Sequence, residues 1–266
     1  MVRSFLIKSY TFLIYFFLYA PILILMIFSF NNSKSRGNWD GFTLKWYAEL
    51  FQDSQIASAL YYTLLVAVLS SLIATILGTL AAIGINNMRG LPKMITLNVT
   101  YLPLLSPDIV MGVSLMLLFI FIKLQLGFLT MLFAHITFNL PFVVFSVLPK
   151  LRQLSNETYD AALDLGATPF EAYKKVILPQ ISPGIVTGFL LAFTMSFDDF
   201  VVSFFTTGSG VSNLAIEIYS MARRGINPKI NALLTLMFIC IMLLLLIVNY
   251  RMSKDSNKET DVKIIK

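Results

Sequence analysis

Six long apolar stretches dominate this sequence, and they leave few choices of fold. A helix of roughly 20 apolar residues crosses the hydrocarbon of a bilayer. Inside a bilayer only helices or closed barrels satisfy the backbone. The stretches cover residues 10–30, 60–85, 94–122, 128–148, 182–206 and 231–249. None shows the strict alternation of a barrel strand. The fold class expected is therefore an all-α membrane protein with six spans. Composition agrees: of 266 residues, 57% are hydrophobic and only 13% charged.

Details within the spans sharpen this reading. Arg3 and Lys8 precede the first span as in a signal peptide, but no small-residue cleavage site follows Phe30, so the helix is expected to be retained. Ala74, Gly78 and Ala82 form a small-residue stripe at every fourth position. Gly184, Gly188, Ala192 and Ser196 form another, and such stripes allow helices to approach closely. The third stretch is too long for one span and carries Pro103 and Pro107, which predicts a kinked or broken helix with Asp108 at the break. Residues 31–59 are polar. There Thr43 suits a cap for the short run LKWYAELF, and Trp39, Trp46 and Tyr47 suit a membrane interface. Residues 207–230 read as a loop, and 251–266 as a charged tail.

Lys and Arg counts orient the chain. With both ends cytoplasmic, the inner segments hold 13 of the 20 basic residues and the outer segments 7. The same count places residues 155–179 inside. The net charge of +6 is spread over loops and the tail and does not form one basic face, so no nucleic-acid partner is expected.

The inner stretch 155–179, SNETYDAALDLGATPFEAYKKVILP, reads as two short helices joined at one glycine. Ser155 or Asn156 caps the first. Gly166 supplies a left-handed stop. Thr168 caps the second, Pro169 takes its first position, and Glu171 completes a capping box. Phe170, Tyr173 and Ile177 lie at helical spacing, and Pro179 is expected to end the helix. Asp160-Ala161-Ala162, Gly166-Ala167 and the closing Val176-Ile177-Leu178-Pro179 resemble the EAA motif of ABC importer permeases. Aspartate stands here for the motif's glutamate, and Val176 for isoleucine. The resemblance implies that this loop docks on a separate ATPase and couples its closure to the membrane path.

Three acids fall inside apolar spans: Asp108, Asp198 and Asp199. Intramembrane charges are costly, face protein or water, and mark function by default. With 1.5 Å of rise per residue, Asp198 lies roughly 12 Å from Thr206, and Asp108 roughly 21 Å from the inner end of its span. No Lys or Arg lies at that depth, so a cationic guest is expected. Two other roles remain open: the acids cap broken helix ends, or they bond backbone freed by proline. As neighbours on a continuous helix, Asp198 and Asp199 point about 100° apart, and the residues do not say which of them lines the path. His135 and Asn139 share one face, either extending that path or gluing helices together. A lone histidine makes no metal site. Cys240, the single cysteine, sits in an apolar run and suits packing. The phosphate-cradling pattern G-x-x-x-x-G-K-[ST] is missing, and no catalytic constellation stands out.

FTLKWY, LLSPDIVMGVSLM, HITFNLPFVV and SFDDFVVSFFTTG extend the resemblance over nearly the whole chain, to permeases of polyamine ABC importers. That family implies a six-helix MetI-like bundle of the type I importers in the bacterial inner membrane. It also implies a second homologous permease, two copies of a cytoplasmic ATPase that hydrolyses ATP, and a periplasmic polyamine-binding protein. The chain itself is expected to bind no cofactor, and membrane lipid is its other contact. A permease for another small cationic or chelated solute is the alternative, and an ion-coupled secondary transporter the rival of a different class.

Overall fold

A computed structural model describes residues 2–34, 38–155, 157–224, 228–240 and 242–243. The regular secondary structure of the described residues is helical, apart from one isolated bridge, Asn31 with Phe42. The chain divides into two compact units, residues 1–54 with 218–266, and residues 55–217.

In the first unit α1 (Val2–Phe28) presents long apolar side chains outward from Ile7 to Ile27, as a lipid-facing helix does. Next, Asn31 organises a compact turn. Its Oδ1 accepts from the backbone N–H groups of Ser33 and Asp40, and its Nδ2 donates to the Asn38 carbonyl. Trp46, on α2 (Lys45–Phe51), is buried and donates Nε1–H to the Asn31 carbonyl at 2.7 Å. It is thus a packing residue and not the interface anchor expected from sequence; Trp39 remains exposed. The Thr43 hydroxyl accepts from Lys45 N–H at the start of α2. An apolar helix, Pro228–Cys240 (α12), begins where the sixth span was expected. Cys240 is exposed, so packing within this chain is not its role. The rest of that span beyond residue 243, and the tail 251–266, lie outside the described residues.

The second unit carries the remaining elements. They are α3 (Ser54–Asn87), α4 (Gly90–Leu105), α5 (Asp108–Phe121), α6 (Phe128–Gln153), α7 (Glu157–Asp164), α8 (Pro169–Ala172), a π turn (Tyr173–Ile177), α9 (Leu178–Phe197), α10 (Val201–Thr206) and the start of α11 (Leu214–Arg224). Among the described residues four helices are long and apolar enough to cross a membrane, and α4 with α5 adds a fifth candidate, bent by 108°. That bend is where the prolines predicted it. Ser106 is extended, the backbone that a following proline favours because its ring disfavours the helical conformation there. Pro103 stays inside α4.

Three sequence expectations need correction. Pro179 does not end a helix: α8, the π turn and α9 run on from Pro169 to Phe197. Proline lacks an N–H and crowds the carbonyl four residues back. The wider π turn takes up that conflict, with Leu178 N–H bonding the Tyr173 carbonyl five residues back. Second, the stretch 182–206 is not one helix, since it breaks between Phe197 and Val201, at the two aspartates. Third, the stretch 207–230 contains α11, which the loop reading missed.

Both small-residue stripes converge on α6. A Cβ placed on Gly78 would lie 2.7 Å from Val143 Cβ, and one on Gly188 would lie 3.1 Å from Val143 Cα. Val143, Val144 and Val147 are fully buried beside Ala74, Ala82 and Ala192. Branched residues of α6 thus fill the grooves that glycine and alanine leave on α3 and α9. We expect Gly78→Leu to destabilise the protein by about 1–3 kcal/mol through overpacking. Gly84→Leu, at a glycine with open space around it, should be near neutral. Thermal unfolding in detergent compares the two, and equal midpoints would contradict this packing.

Candidate functional site

The break between α9 and α10 is built around polar side chains. Asp198 ends α9 and Asp199 precedes α10. Asp199 turns inward. Its carboxylate accepts from the N–H groups of Val202 (3.2 Å) and Ser203 (2.7 Å), the free donors at the start of α10. Of the roles sequence left open for it, capping a broken helix is the one it fills. Asp198 stays exposed at the carboxyl end of the 20-residue α9. Aligned peptide dipoles leave that end partly negative. A carboxylate added there deepens the negative potential and suits a cation.

His135, on α6, lies behind the break and is buried. One ring nitrogen, Nδ1, shares a 2.5 Å hydrogen bond with Ser196 Oγ on α9, and the other, Nε2, a 2.9 Å bond with Ser203 Oγ on α10. Nε2 also lies 3.5 Å from the Asp199 carboxylate. Asn213 donates to the Asp199 carbonyl and to Ser203 Oγ, while its own Oδ1 accepts from Ile216 N–H. Ser196 bonds Ser70 on α3, and Asn139 donates to Ser70 over 3.3 Å. His135 and Asn139 are thus interhelical glue and not exposed path residues. Asn139 Oδ1 has no hydrogen-bond partner.

Asp108 is the first residue of α5 and is exposed. Neither Asp108 nor Asp198 is in an ion pair among the described residues. Of the five residues singled out by sequence, the structure gathers His135, Asn139 and Asp199 into one buried network and leaves Asp108 and Asp198 accessible. Ser70, Ser203 and Asn213 escaped sequence reading. Ser196 and Ser203 flank the two aspartates at seven-residue spacing, a usable signal, whereas nothing marked the loop residue Asn213. No group of His, Cys, Asp and Glu suited to a metal occurs among the described residues.

The elbow 155–179 forms as its sequence dictates, apart from Pro179, which does not end the helix, and Phe170. Ser155 Oγ accepts from Glu157 N–H at the start of α7; Asn156 lies outside the described residues. At the other end Gly166 has φ +86°. Gly166 N–H bonds the Leu163 carbonyl and Ala167 N–H the Ala162 carbonyl, a Schellman stop. No atom lies within 4 Å of a Cβ built on Gly166, so backbone conformation and not space demands glycine. Thr168 and Glu171 form the capping box reciprocally. Hydrogen bonds from Lys175 and Thr168 hold the Glu171 carboxyl down at about 2. Ala162, Ala172 and Ile177 pack inward, and Tyr159 meets Tyr173 at 5.1 Å. Phe170 does not join that stripe. Phe170 is 74% exposed and Leu165 90%, with Asp160, Ala161 and Pro179 on the open surface and Ala167 half-buried.

Residues 74–255 match the family of binding-protein-dependent transport system inner membrane components. The chain belongs to this family. As a MetI-like permease of ABC transport, it is 41% identical over 245 residues to the spermidine/putrescine transport system permease protein PotC of Escherichia coli K12, covering 92% of each chain. It is 37% identical to PotC of Haemophilus influenzae, over 97% of this chain and all of the relative. It is 40% identical over 232 residues to the putrescine transport system permease protein PotI of E. coli K12, covering 83% of this chain and 81% of PotI. Among solved structures, a bacterial ABC transporter that imports the acidic polysaccharide alginate superposes with TM-score 0.72 at 18% identity, over 95% of this chain and 96% of that one. That likeness concerns the fold.

Proposed function

We propose that this permease is the membrane subunit of an ATP-driven polyamine importer, with spermidine and putrescine as its substrate class. The observation that carries the reading is Asp198: an exposed carboxylate without an ion pair among the described residues, at the negative end of a helix that stops within an apolar span. Asp108 supplies a second accessible carboxylate at the other broken span. Two separated anionic points suit a flexible polycation better than a monovalent ion. The two PotC relatives and PotI carry polyamine transport in their names.

The remaining parts follow from the elbow. Asp160, Ala161, Ala162, Gly166, Ala167 and Pro179 form or flank a surface whose exposed Leu165 and Phe170 suit burial in a cleft of a cytoplasmic ATPase. In this assembly two ATPase copies hydrolyse ATP, a second homologous permease completes the path, and a periplasmic binding protein delivers the polyamine. Both termini and the elbow face the cytoplasm, in keeping with the basic-residue bias.

Reconstitution with the companion permease and ATPase tests this. Labelled spermidine should accumulate with ATP, whereas accumulation driven by a proton gradient alone would refute the reading. Gly166→Val should reduce uptake several-fold per ATP hydrolysed. A β-branched residue at positive φ costs on the order of 1–3 kcal/mol and shifts the elbow. Unchanged coupling would remove the elbow from this role.

A further inference from the structure

A cavity of about 450 Å³ opens between α4 and α6. Leu97, Tyr101 and Leu104 line one side, and Phe145, Pro149 and Arg152 the other. Its wall is mostly apolar. The Tyr101 and Phe145 rings stack with centroids 3.9 Å apart. Arg152 brings the only charge among the lining residues. It is exposed and has no ion pair among the described residues.

The direction of the groove is fixed by the elbow. The start of α4 follows Asn87, whose side chain donates to the Tyr173 hydroxyl in the elbow, and the end of α6 leads into α7. The two helices therefore leave the elbow together. Arg152 and Leu97 lie toward the elbow, and Leu104 and Phe145 toward the membrane interior, which agrees with Tyr101 meeting Phe145. A greasy slot capped by a guanidinium at the membrane surface matches one kind of occupant. An acyl chain fills the slot while its phosphate accepts a forked pair of hydrogen bonds from Arg152. Basic pockets between membrane helices on the cytoplasmic side are a known mode of anionic headgroup binding.

We infer that the α4–α6 groove is a binding site for an anionic phospholipid of the cytoplasmic leaflet, read by Arg152. The inference rests on the inward orientation proposed for the elbow. It does not rest on the identity of the substrate. A lipid seated there braces the bent span against the helix that feeds the coupling elbow.

Brominated lipids quench tryptophan only at contact and need neither substrate nor ATP, so this test stands apart from the transport assay. The full chain carrying Leu97→Trp, assembled with its companion subunits, is placed in phosphatidylcholine vesicles containing brominated phosphatidylglycerol or, separately, brominated phosphatidylcholine. Quenching of the parent, which holds only Trp39 and Trp46, is subtracted. Quenching at position 97 should be several-fold stronger with the anionic lipid. Arg152→Gln should erase that preference, and Arg152→Lys should keep part of it. Equal quenching by the two lipids, a preference that survives Arg152→Gln, or no quenching because protein covers the groove, would each overturn the inference.

Discussion

Asp198→Asn should raise the KM for spermidine uptake about 10–100-fold while the transporter assembles and unfolds like the parent. A hydrogen bond between charged groups contributes about 1.5–3 kcal/mol, and each 1.4 kcal/mol is a factor of ten. The carboxylate is accessible and holds no ion pair, so removing its charge leaves no partner stranded in the fold. The dipole of α9 adds to its field, and Asn keeps the shape while discarding the charge. Its neighbour gives the contrast. Asp199 bonds Val202 and Ser203 N–H groups, so Asp199→Ala should lower stability by about 0.5–2 kcal/mol, as lost caps do. Once folded, that variant should keep a KM near the parent's. Uptake kinetics and thermal midpoints, measured on both variants, separate the roles. If Asp199→Ala raised KM with no loss of stability, and Asp198→Asn left KM alone, the assignment would be reversed.

How far sequence carries here depends on whether a feature is local. The elbow was legible because each signal acts over a few residues: Thr168, Pro169 and Glu171 specify a capped start, and Gly166 a left-handed stop. The small-residue stripes were legible because close approach needs glycine at Gly78 and Gly188 whichever helix arrives, although the arriving residue, Val143, was not foreseeable. Pro179 misled because its local rule is real, yet a π turn accommodates the proline and packing of Ile177 and Ile181 carries the helix onward. The helix break at Asp198 and Asp199 is only one of several roles that sequence leaves open for the acids, while the stretch 182–206 reads as one span, for the opposite reason. Periodicity runs unbroken across it, and the contacts that hold the broken ends are nonlocal: His135, 61 residues from Ser196 and 68 from Ser203, bonds both halves. The choice between Asp198 and Asp199 depends on that break, so only the structure makes it.

His135→Ala should therefore be the most damaging single change among the buried polar residues. It removes the ring that bonds Ser196 and Ser203 together, in a site where no water competes. Ser196 keeps its bond to Ser70 and Ser203 its bond from Asn213, so the loss is that of two buried hydrogen bonds and of the ring's packing, about 2–4 kcal/mol. Amides of residues 199–207 should exchange hydrogen faster than those of α6. Asn139→Leu makes the sharper comparison. Asn139 is as buried as His135, one turn away on the same helix, but makes a single 3.3 Å bond and leaves Oδ1 without a partner. Replacing a half-satisfied amide by an apolar side chain of similar size forfeits little, so this variant should stay within about 1 kcal/mol of the parent. Burial and residue type would rank the two substitutions alike; hydrogen-bond geometry separates them. If thermal unfolding found the two equally destabilised, the network would be ordinary packing, and the presentation of Asp198 would need another support than the histidine behind it.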